Sequence, residues 1–411
     1  MKKSLIALAF GTLGLGIAEF TMMGILSYVA QDLGISIPVA GHLISAYALG
    51  VCCGAPMLIL ARKRPLKQTL LALVLLMIIG NLCASAAPNY WVLMAGRFIS
   101  GLPHGAYFGV ASIVAGKLAD EGKGSEAVSI MIAGMTVANL FGVPLGTSLS
   151  HTISWRVTFL LVVFWGLITL YYIYRWVPQV ENLKDNGFKG QFRFLKSPAP
   201  WLILGATALG NGGVFCWYSY VNPMLTEISG FQTSSMTALM VLAGFGMVVG
   251  NLVGGRMSDR YTPGKVGTVV QGMIGVVLLL LFFFSPNPWC AAILMTLCTA
   301  GLFAVSSPEQ VLIIRVAPGG EMLGGACVQI AFNLGNAVGA YAGGLAVSEG
   351  YRYPALCGVP FAFIGLLLFL IFSKKNFEKI WWLRKNLLPL QTLSLTNGSL
   401  EIRNSSLKDF R

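Results

Sequence analysis

Residues Ser4–Val29 read SLIALAFGTLGLGIAEFTMMGILSYV, an apolar run interrupted by one charge, Glu19. A helix rises about 1.5 Å per residue, so roughly 20 apolar residues cross the ~30 Å hydrocarbon core of a bilayer. The run is preceded by Met1-Lys2-Lys3, which imitates a signal peptide. It is, however, about twice the length of a signal h-region, and it reads as a retained first span.

Working outward from it, further segments of the same kind lie over residues 39–61, 68–86, 90–117, 127–150 and 155–177. Beyond a polar stretch come 200–222, 234–257, 265–285, 288–316, 321–348 and 351–373. Turn signals such as Ala87-Pro88-Asn89 and Ser285-Pro286-Asn287-Pro288 separate them. The composition agrees. Only 10% of the 411 residues are charged and 56% are hydrophobic, whereas a soluble chain carries about 25% charged residues. The mean hydropathy is +0.74. The predicted fold class is therefore an all-α membrane protein with twelve transmembrane helices. Eight cysteines all fall within apolar segments without metal-ligand spacing, so they read as small buried apolar residues. No metal and no cofactor is expected.

The net charge of +13 raises nucleic acid as a partner, but the positions of the basic residues answer it. With the N-terminus inside, 25 of the 28 Lys and Arg residues fall in segments on the inner side. Only Arg156 and Arg352 fall outside, and Arg97 lies within a span. That is the positive-inside asymmetry, and it needs no polyanionic ligand. Residues 178–199 form the one long polar connection. The expected organisation is a six-helix half over 1–177, a linker over 178–199, a second half over 200–373 and a basic tail over 374–411. The tail mixes Lys379, Arg384 and Lys385 with Trp381 and Trp382, a pattern suited to a membrane-surface helix. The halves also repeat at an offset of 196 or 197. Leu13-Gly14-x-Gly16 recurs as Leu209-Gly210-x-Gly212, and Gly50-x-x-x-Gly54 as Gly246-x-x-x-Gly250. Asn139-x-x-Gly142-x-x-x-Gly146 recurs as Asn336-x-x-Gly339-x-x-x-Gly343.

Several motifs on this frame carry a resemblance. Gly255-Arg256-Met257-Ser258-Asp259-Arg260 is similar to the loop signature of the major facilitator superfamily, with Gly255, Asp259 and Arg260 as a conformational latch. The first-half equivalent has Lys63 where the acid would stand. Arg97 with Gly101 and Gly105 resembles the fourth-helix motif of proton-coupled members. Gly134, Gly142, Pro144 and Gly146 resemble the fifth-helix motif of drug:proton antiporters, and Ala18-Glu19-Phe20-Thr21-Met22-Met23-Gly24 the sugar-efflux branch. The resemblance covers about residues 1–373. It implies the major facilitator fold with two six-helix pseudo-repeats, placed in the bacterial inner membrane with both termini cytoplasmic.

The candidate site residues each carry a bland reading beside the functional one. Glu19 is an acid within a span, costly when ionised and turned inward. It either carries a coupled proton or is a protonated acid hydrogen-bonded between helices. Arg97, always charged, is either part of the coupling machinery or a hydrogen-bond hub, and His104 on its helix face is a weaker coupling candidate. Asn211, Tyr218 and Asn222 share one helix face, and Gln329, Asn333 and Asn336 another. Each face is a substrate contact or a set of interhelical hydrogen bonds. Glu309 reads as a structural ion pair with Arg315, and Asp259 as a latch with Arg256 or Arg260. Gly134, Gly142, Pro144 and Gly146 read as a helix-packing ridge.

The function expected is secondary active transport: proton-coupled efflux of a small organic solute, a sugar or amphipathic compound. The partners are that small molecule, protons and the lipid bilayer, with no nucleic acid, and a monomer is expected. Proton symport or uniport uptake is one alternative, and a non-transporting membrane sensor another. Paired catalytic groups at membrane depth are not found, so an enzyme is not expected.

Overall fold

The computed structural model describes residues 2–35, 37–181, 183 and 187–377. The tail expected to lie on the membrane surface falls outside these residues from 378 onward. Twelve helices among the described residues are long and apolar enough to cross a membrane. The first half comprises α1 (Lys2–Asp32), α2 (Ile37–Met57), α3 (Leu66–Ser85), α4 (Tyr90–Lys117), α5 (Gly124–Val137), α6 (Val143–Thr152) and α7 (Trp155–Trp176). A short α8 (Gly187–Gln191) lies in the connection. The second half comprises α9 (Pro198–Tyr218), the single turn α10 (Val221–Pro223), α11 (Met236–Arg260), α12 (Pro263–Phe284), α13 (Pro288–Ala304), α14 (Ser306–Val316), α15 (Glu321–Ala346) and α16 (Tyr353–Phe372).

Two spans are made of two pieces. The fifth is α5 and α6 joined by a π turn over Ala138–Gly142. Pro144 follows that turn at the start of α6. A proline lacks the N–H that would close an α turn, and the widened turn absorbs the mismatch. The tenth is α13 and α14, which break at Val305. Ser307-Pro308 at the start of α14 accounts for the interruption by the same missing donor.

Glycines let the helices of each half approach closely. A Cβ on Gly335, Gly339 or Gly343 of α15 would collide with the α9 carbonyls of Ala208, Gly212 and Cys216. A Cβ on Gly134, Gly142 or Gly146 would meet Ala9, Ile17 or Thr21. The small-residue ridge of the fifth span is thus seated against α1, the helix that carries Glu19.

The two ends of the bundle differ. At one, Ser4 donates to the Trp176 carbonyl, Lys67 to Tyr174 and Lys117 to Glu181; this is the basic end. At the far end Arg156 binds Asp32 and the Ala87 carbonyl. Asp32 also accepts from the Trp155 indole. The Arg156 hydrogen bond, then that of Trp155, holds the Asp32 carboxyl below the usual carboxylate range.

At the basic end the halves are closed on each other. Asp259 accepts from the backbone N–H groups of Ser125 (2.8 Å) and Glu126 (2.7 Å) at the start of α5. Asn251 donates to the Ser129 carbonyl, and Ser307 to that of Ser125. Toward the far end the halves part. Along the stripe of α15 that faces α4, Met322, Ala326 and Gln329 are buried, Asn333 and Asn336 are half-buried, and Ala337 is exposed.

Burial of the cysteines departs from expectation. All eight are free, but only Cys216 and Cys298 are buried, and Cys53 is exposed. In a bilayer an apolar residue gains nothing by turning inward, because the outer face already meets hydrocarbon.

Candidate functional site

Glu19, Arg97 and His104, read separately from the sequence, form one cluster between α1 and α4. Glu19 is 7% exposed, and Arg97 and His104 are fully buried. The Glu19 Oε2 lies 3.7 Å from His104 Nε2. The other imidazole nitrogen, Nδ1, is 2.9 Å from the Tyr47 hydroxyl. That ring is stacked on Phe108, with centroids 5.2 Å apart.

Arg97 is held by backbone rather than by an acid. Its Nη1 donates to the Ala18 carbonyl (2.6 Å) and its Nε to Leu43 (3.3 Å). The guanidinium carbon sits 4.4 Å from the Tyr47 ring centroid, within cation–π range. Among the described residues, three atoms of the cluster have no hydrogen-bond partner: Glu19 Oε2, Arg97 Nη2 and His104 Nε2. A buried polar group left unpaired costs about 1–3 kcal/mol. The cluster is therefore built to gain or lose contacts, and a proton on Glu19 or His104 changes which are made. Tyr47, which touches both His104 and Arg97, escaped the sequence reading. Its signal was weak: one phenolic hydroxyl in an apolar span.

The second-half candidates divide. Asn211 is buried with both amide atoms unpartnered. Phe215 on its face meets Phe332 of α15, centroids 5.8 Å apart. Tyr218 is the last residue of α9. Asn222 does not share their face: α9 ends at Tyr218, and Asn222 is an exposed residue of α10. Pro223 has no N–H to bond the carbonyl of Ser219 four residues back, and the helix is interrupted at residues 219–220. On α15, Asn333 donates back to the Gln329 carbonyl (3.0 Å), and the Asn336 Oδ1 has no partner. Gln329 lies across the seam against α4, its Cβ within 3.5 Å of where a Cβ on Gly105 would stand, which places it next to the helix that carries His104.

Two ion-pair readings are corrected. Among the described residues Glu309 forms no ion pair with Arg315. Its side chain is 1% exposed with Oε1 unpartnered; the two residues stand six apart on α14, about 9 Å along the axis and about 120° around it, and Glu309 faces Phe108, Gln329 and Phe332 instead. Asp259 pairs with neither Arg256 nor Arg260. It holds the α5 N-terminus across the seam, where the helix dipole and free N–H groups favour an anion. Arg256 pairs instead with Glu126 (3.0 Å), and the Arg260 guanidinium lies 5.4 Å from the Tyr261 ring. A Cβ on Gly255 would collide with Ser129, so this glycine is required for the halves to meet.

Comparison with known proteins agrees with this architecture. The family profile of the Major Facilitator Superfamily matches residues 8–324. The chain belongs to the Major Facilitator Superfamily. AraJ of Escherichia coli (strain K12) is 48% identical over 91% of this chain and 96% of its own length. YdhP, an inner membrane transport protein of the same strain, is 37% identical over 92% and 97%. A chloramphenicol resistance protein of Streptomyces lividans is 28% identical over 82% and 88%. Among solved structures, the superfamily transporter FucP in the outward conformation superposes with a TM-score of 0.72 at 17% identity, covering 90% of this chain and 98% of that one. This superfamily member is a multi-pass membrane transporter and not an enzyme.

Proposed function

We propose that the chain exports a small organic solute from the cytoplasm in exchange for protons, and that Glu19 carries the exchanged proton. The observation that supports this most is the buried Glu19 carboxyl, 3.7 Å from His104 and partnerless at Oε2, in electrostatic reach of an Arg97 that is itself incompletely bonded. Protonated, Glu19 is neutral and leaves Arg97 to the Ala18 and Leu43 carbonyls. Deprotonated, it attracts Arg97 and His104 and draws α1 toward α4. A charge change thereby becomes a helix movement.

The basic end faces the cytoplasm in this reading, with both termini inside, because 25 of 28 basic residues sit there by the span assignment. Closure by Asp259 then leaves the carrier open to the outside. The half-buried amides of Asn333 and Asn336, with the aromatic edge of Phe215 and Phe332, suit a neutral, hydroxyl-bearing or amphipathic ligand. A relative named for chloramphenicol resistance favours outward transport.

A proton entering down ~100 mV and one pH unit releases about 3.7 kcal/mol, enough for roughly a 500-fold gradient of a neutral solute. The test is transport in proteoliposomes across a panel of sugars and amphipathic compounds. Glu19→Gln should abolish proton-driven accumulation while leaving substrate exchange. Accumulation that survives in Glu19→Gln refutes the assignment, and protonophore-insensitive movement identifies a uniporter. Uptake that follows the proton gradient inward identifies a symporter.

A further inference from the structure

A groove of about 230 Å³ opens at the basic end of the first half, apart from the Glu19–His104 pair. Its bed is α4, at Leu102 and Ala106. One wall is the end of α2 with the short turn Leu58–Ala61 that follows it, and the other is the start of α3. Small residues hollow it. A Cβ on Gly54 would collide with the Leu102 carbonyl, so α2 lies directly on α4 there, while Ala61, Ala72 and Ala106 leave the space beside it unfilled. Thr69 and Leu76 stand seven residues apart on one wall, as Gly54 and Ala61 do on the other, so the groove runs about 10 Å along the helices. That is about two thirds of the ~15 Å depth of one leaflet. A space of about 230 Å³ spread over that length is too slim for another helix, which needs about 10–12 Å across, and it suits a hydrocarbon chain. Met57, Leu60 and Ala72 at its edges are exposed, on a surface that meets the bilayer.

The groove is apolar along its length and charged at its mouth. Thr69 spends its hydroxyl on the Pro65 carbonyl (3.2 Å), and Arg64 is the one charged residue of the lining. Arg64 and its neighbour Lys63 are exposed, and among the described residues neither side chain has a hydrogen-bond or ion-pair partner. The flanking basic residues are engaged elsewhere: Arg62 donates to the Ile59 carbonyl (3.1 Å) and Lys67 to that of Tyr174 (2.8 Å). No acid occurs in the sequence between Asp32 and Asp120, so α2, α3 and α4 offer these two cations no counter-charge. The second half differs in both respects. At the repeat offset of 196, Met257 stands for Ala61 and Asp259 for Lys63.

From the slim apolar groove and its uncompensated mouth we infer that this is a binding site for one anionic phospholipid. An acyl chain lies between α2 and α3, and the phosphodiester rests on Arg64 and Lys63. A guanidinium matches two phosphate oxygens at once, and the ammonium adds a point charge. A neutral lipid would fill the groove but leave both cations unpaired, and a free anion would pair them but leave the groove empty. The assignment needs only the membrane placement of the chain and does not depend on proton coupling.

The experiment is native mass spectrometry of the full chain in a neutral detergent, titrated with phosphatidylglycerol and, separately, with phosphatidylcholine of the same chains. The first phosphatidylglycerol should bind on the order of 25-fold more tightly, about five-fold for each basic side chain. Lys63→Gln combined with Arg64→Gln should abolish that preference; a preference that survives overturns the inference. Ala72→Trp fills the groove and keeps both charges. It should lower phosphatidylglycerol affinity at least about five-fold, because the headgroup loses its seat beside Arg64. Should Ala72→Trp fail to insert, Ala61→Met fills the groove with the side chain that the second half carries. An affinity unchanged by filling overturns the groove as the site. Glycerol phosphate, a headgroup without chains, should not displace the lipid; displacement identifies a simple anion site and overturns the lipid assignment.

Discussion

Replacing Asp259 by Ala should release the basic end. The carboxylate accepts two short backbone hydrogen bonds, 2.7 and 2.8 Å, from the first turn of α5. Hydrogen bonds to a charged group contribute about 1.5–3 kcal/mol each, and the helix N-terminus adds up to about 1 kcal/mol. Asp259 is only half-buried, so solvent screening reduces the total to about 2–3 kcal/mol. The bonds cross the seam and are exchanged for water when the halves part. Their loss should therefore shift the balance between basic-end-closed and basic-end-open states by roughly 30- to 150-fold, since about 1.4 kcal/mol is tenfold. Arg256→Ala removes a pair whose Arg is 68% exposed. Such a pair is worth below about 1 kcal/mol, a factor of a few. The assay is the distance distribution between spin labels at Leu145 and Ala337, in a background with the native cysteines replaced. Asp259→Ala should move most of the population to the shorter far-end distance, and Arg256→Ala a small part of it. An unchanged distribution in Asp259→Ala, or a larger shift in Arg256→Ala, refutes the latch.

Three other outcomes follow from the same geometry. Arg97→Lys should retain partial coupling, because an ammonium still reaches the Ala18 carbonyl, whereas Arg97→Ala should lose it; normal coupling in a stably inserted Arg97→Ala protein makes Arg97 a structural hub. Gly134→Ala drives a methyl into the Ala9 carbonyl and Thr12, so it should cost about 1–3 kcal/mol, read as a lowered Tm in detergent. Gly116→Ala, with nothing within 4 Å of its added Cβ, should be neutral or stabilising by up to about 1 kcal/mol; equal effects at the two glycines contradict the packing account. Asp32 is depressed below its ordinary value of 3.8, so its contact with Arg156 stabilises above that pH and fades as pH falls through the lower, folded value. Asp32→Asn should accordingly lower Tm slightly at pH 7 and cease to matter in strong acid; a penalty that persists there shows that the carboxylate charge was not the cause.

The sequence by itself determined how many times the chain crosses and which end is basic. Both follow from one-dimensional physics, the length of an apolar run against the thickness of hydrocarbon and the placement of charge in the loops. The duplication was legible in part because Gly50 and Gly54 press against backbone carbonyls of α4 as Gly246 and Gly250 do against those of α13, a close approach that only glycine permits. The cost of burying charge likewise singled out Glu19 and Arg97, but not what they touch. Tertiary structure alone brought Tyr47 to His104, set Gln329 across the seam, and gave Asp259 a partner in the other half rather than a neighbouring arginine. Those contacts join residues 57 to more than 200 positions apart, and no helical period connects them. The failure at Asn222 has the same origin. A periodic face persists only while the helix does, and α9 ends at Tyr218, ahead of the donor-less Pro223. Glu309 was misread because distance along the axis was counted without direction: six residues apart on α14, it and Arg315 point about 120° apart around the helix. That the carboxyl meets a small cavity lined by Phe108, Gln329 and Phe332, contributed by other helices, is a matter that only packing decides.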